Sequence, residues 1–160
     1  MDKTKQKIAV SFLIAIFLAA FEGVVVSTAA PVIVKSLHNF KMISWIFSIF
    51  LLTSAISTPI YGKLADLYGR KRIFMIGISI FLFGSLLAGL SQTMHQLIIF
   101  RGIQGIGAGA IFTIGFTMIG DIFTLEERSI IQGAISTIWG IAGLVGPLLG
   151  GFLIDYLSWQ

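Results

Sequence analysis

Cysteine is absent from this chain of 160 residues, and charge is scarce, since Lys, Arg, Asp and Glu together make up 11% of it. Without cysteine there is no disulfide bond and no thiolate ligand, and two histidines alone cannot complete a closed zinc site. Soluble domains carry about 25% charged residues. These absences exclude a soluble globular domain and a cysteine-based metal protein.

Hydrophobic residues take the place of the missing charges. They make up 56% of the sequence, and the mean hydropathy is +0.97. A helix needs about 20 mainly apolar residues to cross a hydrocarbon core of about 30 Å. Apolar runs of roughly this length predict an all-α integral membrane protein, without a soluble domain, whose spans lie at about 8–34, 43–61, 73–90, 97–119 and 130–154.

The basic residues lie between the apolar runs, which argues against a nucleic-acid surface and indicates membrane topology. Lys and Arg are retained on the cytoplasmic side. With the N-terminus inside, eight basic residues lie in the cytoplasm and only Lys35 and Lys41 lie outside. The pattern predicts a multi-pass protein of the cell membrane with a cytoplasmic N-terminus. His38 and His95 fall in external turns, where a solvated histidine is favoured over a pH sensor.

Two charged residues lie inside predicted spans, Glu22 in the first and Arg101 in the fourth. Charges in a membrane span cost several kcal/mol, on the order of 3 on insertion scales, and are functional candidates by default. Burial favours the neutral form of a carboxyl, whereas a nearby cation favours the charged form. Such a group can exchange a proton for a cationic ligand. The alternatives are a hydrogen-bonded structural carboxyl for Glu22 and a side chain reaching outward to the interface for Arg101.

The fifth span carries many small residues on a membrane-length run. Small residues let neighbouring helices approach closely in lipid, and proline interrupts the backbone hydrogen bonds. The alternative is the general abundance of glycine and proline in membrane helices. The run predicts a pliable, closely packed helix. Its backbone hydrogen bonds are interrupted at Pro147, and its groove is formed by Gly133, Ala142, Gly146, Gly150 and Gly151.

The fourth span contains RGIQGIGAGA, in which Gly105, Gly107 and Ala110 match a dinucleotide-binding fingerprint. That fingerprint requires a preceding β-strand and an opening helix. Here it lies inside an apolar run of membrane length, so close helix packing is the better interpretation. Gln104, in the same stretch, either lines a polar cavity or bonds to backbone carbonyls. No enzyme is predicted, because the sequence shows no nucleophile with a base, metal cluster or phosphate loop in a usable context.

The string GKLADLYGRKR, residues 62–72, closely resembles the signature loop between the second and third helices of the major facilitator superfamily. Its length and residue order make a chance match improbable. One position departs from the family pattern, because Leu67 replaces a usual arginine. The positions that match this signature are Gly62, Asp66, Gly69, Arg70 and Lys71.

Three more stretches resemble motifs of the same family. Ile98, Arg101, Gln104, Gly105 and Gly107 are similar to its fourth-helix motif, whose arginine is implicated in proton transfer. The small residues of the fifth span resemble the antiporter motif, with Ala142 in place of one glycine. FEGVVVSTAAP, residues 21–31, resembles the first-helix motif of the fourteen-helix drug:proton antiporters, with Glu22 where aspartate is commoner and departures at Val24 and Ser27.

This resemblance covers essentially the whole chain and implies the first five helices of an N-terminal six-helix half, with the C-terminal half missing. It implies proton-coupled export of drugs or other toxic, lipophilic or cationic small molecules by alternating access, powered by the proton gradient without a cofactor. Glu22, Arg101 and Gln104 would form the proton and substrate site. Residues 62–72 would latch the cytoplasmic side, and the fifth helix would form the rocking interface.

Two alternatives remain open from the sequence. One is a truncated membrane protein that associates with partner helices through its glycine faces and transports nothing. The other is a proton-coupled symporter for sugars or other metabolites, which the small residues of the fifth span and the shortage of polar cavity residues argue against.

Overall fold

The computed structural model describes residues 2–37 and 40–156, and over these ranges the chain is helical apart from short turns. The predicted all-α fold is confirmed. Each long helix is apolar enough to cross a membrane. The helices are α1 (Lys3–Ser36), α2 (Ile43–Tyr68), α3 (Arg70–Gly89), α4 (Met94–Ile122) and α5 (Leu125–Tyr156), and a 3₁₀ helix, Phe40–Met42, precedes α2.

Side chains complete the beginnings of α4 and α5. Before α5, the Thr124 hydroxyl accepts from the Glu127 N–H at 3.3 Å, and the Glu127 carboxylate accepts from the Thr124 N–H at 3.1 Å. This reciprocal pair is a capping box, which satisfies two backbone donors that have no partner within the helix. Before α4, Thr93 accepts in the same way from the Gln96 N–H at 3.3 Å. These two caps determine where α4 and α5 begin.

The prediction of a loop at residues 62–72 is wrong, because α2 continues to Tyr68 and α3 begins at Arg70. Only Gly69 separates the two helices, and its φ of +89° is a conformation that L side chains rarely adopt. Its N–H donates to the Ala65 carbonyl at 3.0 Å, and its carbonyl accepts from the Ile73 N–H at 3.3 Å. Polar residues at a membrane surface can stay helical, so the change in hydropathy did not mark the helix ends.

Helix α4 lies at the centre, packed mainly between α2 and α3 and more lightly against α1. Its glycines allow close approach to both α2 and α3. A Cβ added at Gly109 would lie 2.7 Å from the Ser54 carbonyl oxygen of α2, and one added at Gly107 would lie 2.7 Å from the Gly77 carbonyl oxygen of α3. The run RGIQGIGAGA therefore serves close helix packing, as its membrane context indicated.

Helix α5 packs against α1 through part of the predicted groove. Ala142 is fully buried, and a Cβ added at Gly146 would lie 2.5 Å from Val24 Cγ1. At Gly150 the nearest atom to such a Cβ, in Thr28, lies at 3.4 Å. Gly133 and Gly151 face open space, with no atom within 4 Å of an added Cβ, and the groove is correspondingly shorter than predicted. The exposed Pro147 lies inside the helix, where it removes one backbone donor.

Candidate functional site

Glu22 lies deep inside the bundle. It is on α1, 19 residues beyond Lys3, which at about 1.5 Å per residue is roughly 30 Å along a helix of 34 residues. Its side chain is 17% exposed. A carboxyl at this depth requires a partner, because an isolated charge in an apolar environment is costly.

That partner is Arg101 of α4, whose Nη1 donates to Glu22 Oε1 in an ion pair. The arginine side chain is 2% exposed. It therefore does not reach outward to the membrane interface, which was the alternative for this residue. Protonation of Glu22 would leave the Arg101 charge buried without a counter-ion.

Two further hydrogen-bond acceptors and one aromatic ring contact the guanidinium of Arg101. Its Nη1 also donates to Gln104 Oε1 at 2.7 Å, and its Nε donates to the backbone carbonyl of Ile46 at 3.5 Å. The guanidinium carbon lies 4.6 Å from the centroid of the Phe50 ring, within the range of a cation–π interaction. Arg101 is thus held by α1, by α2 and by its own helix. The structure brings together the three residues of the predicted proton and substrate site.

Two polar atoms of this cluster are buried and have no hydrogen-bond partner among the side chains and backbone groups that the structure describes. They are Glu22 Oε2 and Gln104 Nε2. Buried polar atoms without partners are uncommon in proteins and cost about 1–3 kcal/mol each. One is a carboxylate oxygen and the other an amide donor. The cluster therefore retains an acceptor and a donor for a proton, a water molecule or a polar group of a ligand.

A cavity of about 180 Å³ adjoins the cluster between α1, α3 and α4. Glu22 and Arg101 line its polar side, and Ser85 of α3 adds a hydroxyl. The remaining lining is aliphatic, from residues such as Val25 and Leu97. Mostly apolar walls with a few polar groups are typical of sites for small organic ligands.

The predicted latch residues lie at the junction of α2 and α3. Arg70 pairs with Asp121 at the end of α4, and its Nη1 donates to the Thr117 carbonyl at 3.5 Å. Asp66 takes part in no ion pair within the described ranges. It lines a small cavity of about 110 Å³ together with Gly62 and Arg70.

The neighbouring Lys71 is exposed and lies in the first turn of α3. A second ion pair at this end of the bundle joins Lys5 of α1 to Glu127 of α5 at 3.1 Å.

Several functional neighbours were not predicted. Asp121 lies in the last turn of α4, beyond the predicted span 97–119, and pairs with Arg70. The Ile46 carbonyl and the Phe50 ring belong to α2. No sequence pattern shows which backbone carbonyl will accept a hydrogen bond from a buried arginine. Of the two histidines, His95 is exposed, as a solvated histidine would be, and His38 lies outside the described residues.

Comparison with known proteins gives a consistent set of relatives. The family model described as Major Facilitator Superfamily matches residues 12–160. "Multidrug resistance protein 3" of Bacillus subtilis (strain 168) is 42% identical over 166 residues, an alignment that covers 100% of this chain and 32% of that protein. "Multidrug transporter protein MdtP" of the same organism is 43% identical over 148 residues, covering 92% of this chain and 27% of that protein.

A fungal relative shows the same relation. "Efflux pump dotC" of Dothistroma septosporum (strain NZE10 / CBS 128990) is 37% identical over 153 residues, which cover 96% of this chain and 26% of that protein. The chain therefore spans about a third or less of the length of these relatives, at 32%, 27% and 26%.

Proposed function

Because the chain belongs to the Major Facilitator Superfamily, we propose that it forms part of a proton-coupled exporter of drugs or other toxic small molecules. The observation that carries this proposal is the buried cluster of Glu22, Arg101 and Gln104. A carboxyl deep in a membrane span, paired with a cation and with one oxygen unpartnered, is suited to binding and releasing a proton. The energy source is the proton gradient, and no cofactor takes part.

Proton and substrate are linked through the partners of Glu22. When the carboxyl is ionised, its Oε1 accepts from Arg101 and its Oε2 remains available. A cationic substrate in the adjoining cavity would be attracted to the ionised carboxylate. Proton uptake would neutralise Glu22, remove that attraction and free Arg101, so that the proton and the substrate exclude each other. This mutual exclusion is the requirement of antiport.

Alternating access supplies the movement. In this family, substrate sites lie near the membrane midplane between two related halves, which rock about the site. Each of these relatives is at least about three times as long as this chain, since the chain covers 32% or less of each. We propose that a further half of the whole protein completes the cavity beside Glu22. The whole protein would lie in the cell membrane with the basic end of this chain in the cytoplasm, as the excess of Lys and Arg indicates.

Transport in proteoliposomes tests the proposal. The full-length protein is reconstituted with an imposed pH gradient, and uptake of ethidium, a lipophilic cation, is followed by fluorescence. The unsubstituted protein is expected to move ethidium against its gradient only while the pH gradient lasts. Glu22→Gln should abolish this coupling, because an amide neither ionises nor takes up a proton at neutral pH. Glu22→Asp, the matched control, keeps the ionisable group and should retain coupling.

Two results would contradict the proposal. Coupled transport by Glu22→Gln at the unsubstituted rate would remove Glu22 from the mechanism. Ethidium movement by the unsubstituted protein that does not respond to the pH gradient would exclude proton antiport, although the protein would still be a transporter.

A further inference from the structure

The ring of Phe50, on α2, lies beside the buried cluster of Glu22, Arg101 and Gln104. The guanidinium carbon of Arg101 is 4.6 Å from the centroid of this ring. The face of an aromatic ring attracts a cation, and the attraction is stronger where water is excluded. Little water reaches this contact, because the Arg101 side chain is 2% exposed and Phe50 is partly buried. The contact is therefore expected to be stronger than one at a protein surface.

Phe50 differs from the other partners of Arg101 in its response to protonation. Among the residues that the structure describes, only Glu22 forms an ion pair with Arg101. The other acceptors, Gln104 Oε1 and the Ile46 carbonyl, are neutral. A proton on Glu22 removes the negative charge, and a buried cation without compensation is costly. The ring has no ionisable group, so its attraction for the cation persists in both protonation states.

The ring also leaves the hydrogen bonds of Arg101 intact. A guanidinium has five N–H donors, all of which lie in its plane. Nη1 donates to Glu22 and Gln104, and Nε donates to the Ile46 carbonyl. A phenyl ring has no acceptor oxygen that competes for these donors. Phe50 can therefore hold the cation in position while the three oxygens receive its N–H groups.

The packing of α2 on α4 determines where the ring lies. Gly105 is four residues beyond Arg101 and so lies on the same face of α4. A Cβ added at Gly105 would lie 3.0 Å from Phe50 Cα, which is closer than most Cβ contacts in proteins. On α2, the Thr53 hydroxyl donates to the Phe50 carbonyl at 3.2 Å. The absence of a side chain at Gly105 thus brings the α2 backbone, and with it the ring, close to Arg101.

We propose that Phe50 is a positioning residue of the buried cluster. Its ring holds the Arg101 guanidinium beside Glu22 and Gln104 through a cation–π contact, and it keeps the cation in place while Glu22 carries a proton. Arg101 is then in position to pair with the carboxylate when the proton leaves. The contact follows from the packing of α2 on α4, whereas its role in transport rests on the proposed proton antiport. Phe50 acts through Arg101 and takes up no proton itself.

Fluorinated phenylalanines at position 50 test the contact. Each fluorine withdraws electrons from the ring face and weakens its attraction for a cation, with little change in the size of the ring. The purified full-length protein would carry 4-fluoro-, 3,5-difluoro- or 3,4,5-trifluorophenylalanine in place of Phe50. Its thermal unfolding midpoint should fall with each added fluorine. The matched control is the same series at Phe47, a partly buried residue of α2 that packs against the apolar cluster containing Met94 and Leu97. There the midpoint should remain unchanged.

A background without the cation provides a second control. The double variant Glu22→Gln/Arg101→Met removes both charges together, so that neither is buried alone. Fluorination at position 50 should then leave the unfolding midpoint unchanged. A midpoint that does not fall with fluorination at Phe50 would overturn the proposal. So would an equal fall at Phe47 or in the double variant, because it would show an effect of fluorine that does not depend on the cation.

Ethidium transport driven by an imposed pH gradient tests the role in transport. The coupled rate should fall stepwise with fluorination at position 50, by about tenfold with three fluorines, which corresponds to the loss of a desolvated cation–π contact. Phe50→Leu keeps an apolar side chain without a ring face and should lose coupled transport to a similar extent. Phe50→Tyr keeps the ring face and should retain most of it. A purely structural apolar contact would be satisfied by leucine.

The two measurements separate this proposal from proton antiport. A midpoint that falls with fluorination, in a protein whose ethidium transport does not respond to the pH gradient, would support the contact of Phe50 with Arg101 and contradict the proposed antiport. Coupled transport at the unsubstituted rate by the protein with trifluorophenylalanine at position 50 would overturn the positioning role.

Discussion

Arg101 determines the geometry of the candidate site, because its guanidinium binds groups from three helices. The sequence identified Arg101, Glu22 and Gln104 as candidates, since charged and polar side chains inside apolar runs are conspicuous. It did not identify the Ile46 carbonyl or the Phe50 ring. Those contacts depend on how α2 and α4 are aligned along their axes, and a sequence pattern does not contain that alignment.

The arrangement around Arg101 predicts that lysine cannot replace it. Arg101→Lys keeps the positive charge but replaces a planar group of five N–H donors by a compact ammonium. The ammonium cannot reach Glu22, Gln104 and the Ile46 carbonyl together, so one buried acceptor should lose its donor. We expect a loss of about 1–3 kcal/mol in the free energy of unfolding. The thermal unfolding midpoint of the purified full-length protein measures this loss.

Arg72→Lys is the control for this prediction, because Arg72 is exposed at the beginning of α3. Its unfolding midpoint should remain unchanged. An unchanged midpoint for Arg101→Lys would show instead that charge alone, without the planar donor geometry, is sufficient at this position.

At the level of helices, the structure is organised by the small residues of α4. The sequence predicted close packing of this helix from its glycines. It did not predict which glycine faces which neighbour, since that depends on the rotation of α4 about its axis. The sequence also predicted α2 and α3 too short at residues 62–72. Hydropathy indicates which residues contact lipid, but it does not indicate whether a polar segment is helical.

Close packing predicts that a single methyl group at Gly107 is costly. A Cβ there would lie 2.7 Å from both the Gly77 carbonyl oxygen and Phe81 Cα. These are backbone atoms, so α3 itself must shift. We expect Gly107→Ala to lower the free energy of unfolding by about 1–3 kcal/mol, the usual cost of overpacking. Thermal or denaturant unfolding of the purified protein in detergent measures it.

Gly120 provides a matched position on the same helix, since an added Cβ would meet no atom within 4 Å. Gly120→Ala should be neutral or stabilising by up to about 1 kcal/mol, because alanine favours the helix. If Gly107→Ala were as stable as Gly120→Ala, the close approach of α3 and α4 would not be essential to the fold.

On the scale of the whole molecule, the charged end of the bundle is closed by ion pairs between helices. Lys5 joins the beginning of α1 to Glu127 near the beginning of α5, and Arg70 joins the beginning of α3 to Asp121 in the last turn of α4. The distribution of basic residues predicts that this end faces the cytoplasm.

Labelling of introduced cysteines tests this orientation, and the chain is suited to it because it contains no cysteine. Lys63 lies at the charged end and His95 at the opposite end, and both are exposed. In intact cells, a membrane-impermeant maleimide should label His95→Cys but not Lys63→Cys. Both should be labelled after the membrane is permeabilised, with the unsubstituted protein as the background. Labelling of Lys63→Cys alone in intact cells would show that the charged end faces outward and that the predicted orientation is wrong.

The single residue between α2 and α3 has a mechanical consequence. Successive Cα atoms are 3.8 Å apart, so Tyr68 and Arg70 can never be separated by more than about 7.6 Å, whatever the rest of the bundle does. Gly69 therefore acts as a hinge. The angle between α2 and α3 can change there, but neither helix can slide freely past the other at that end. Any rearrangement that carries one of them toward or away from the cytoplasm must carry the other with it.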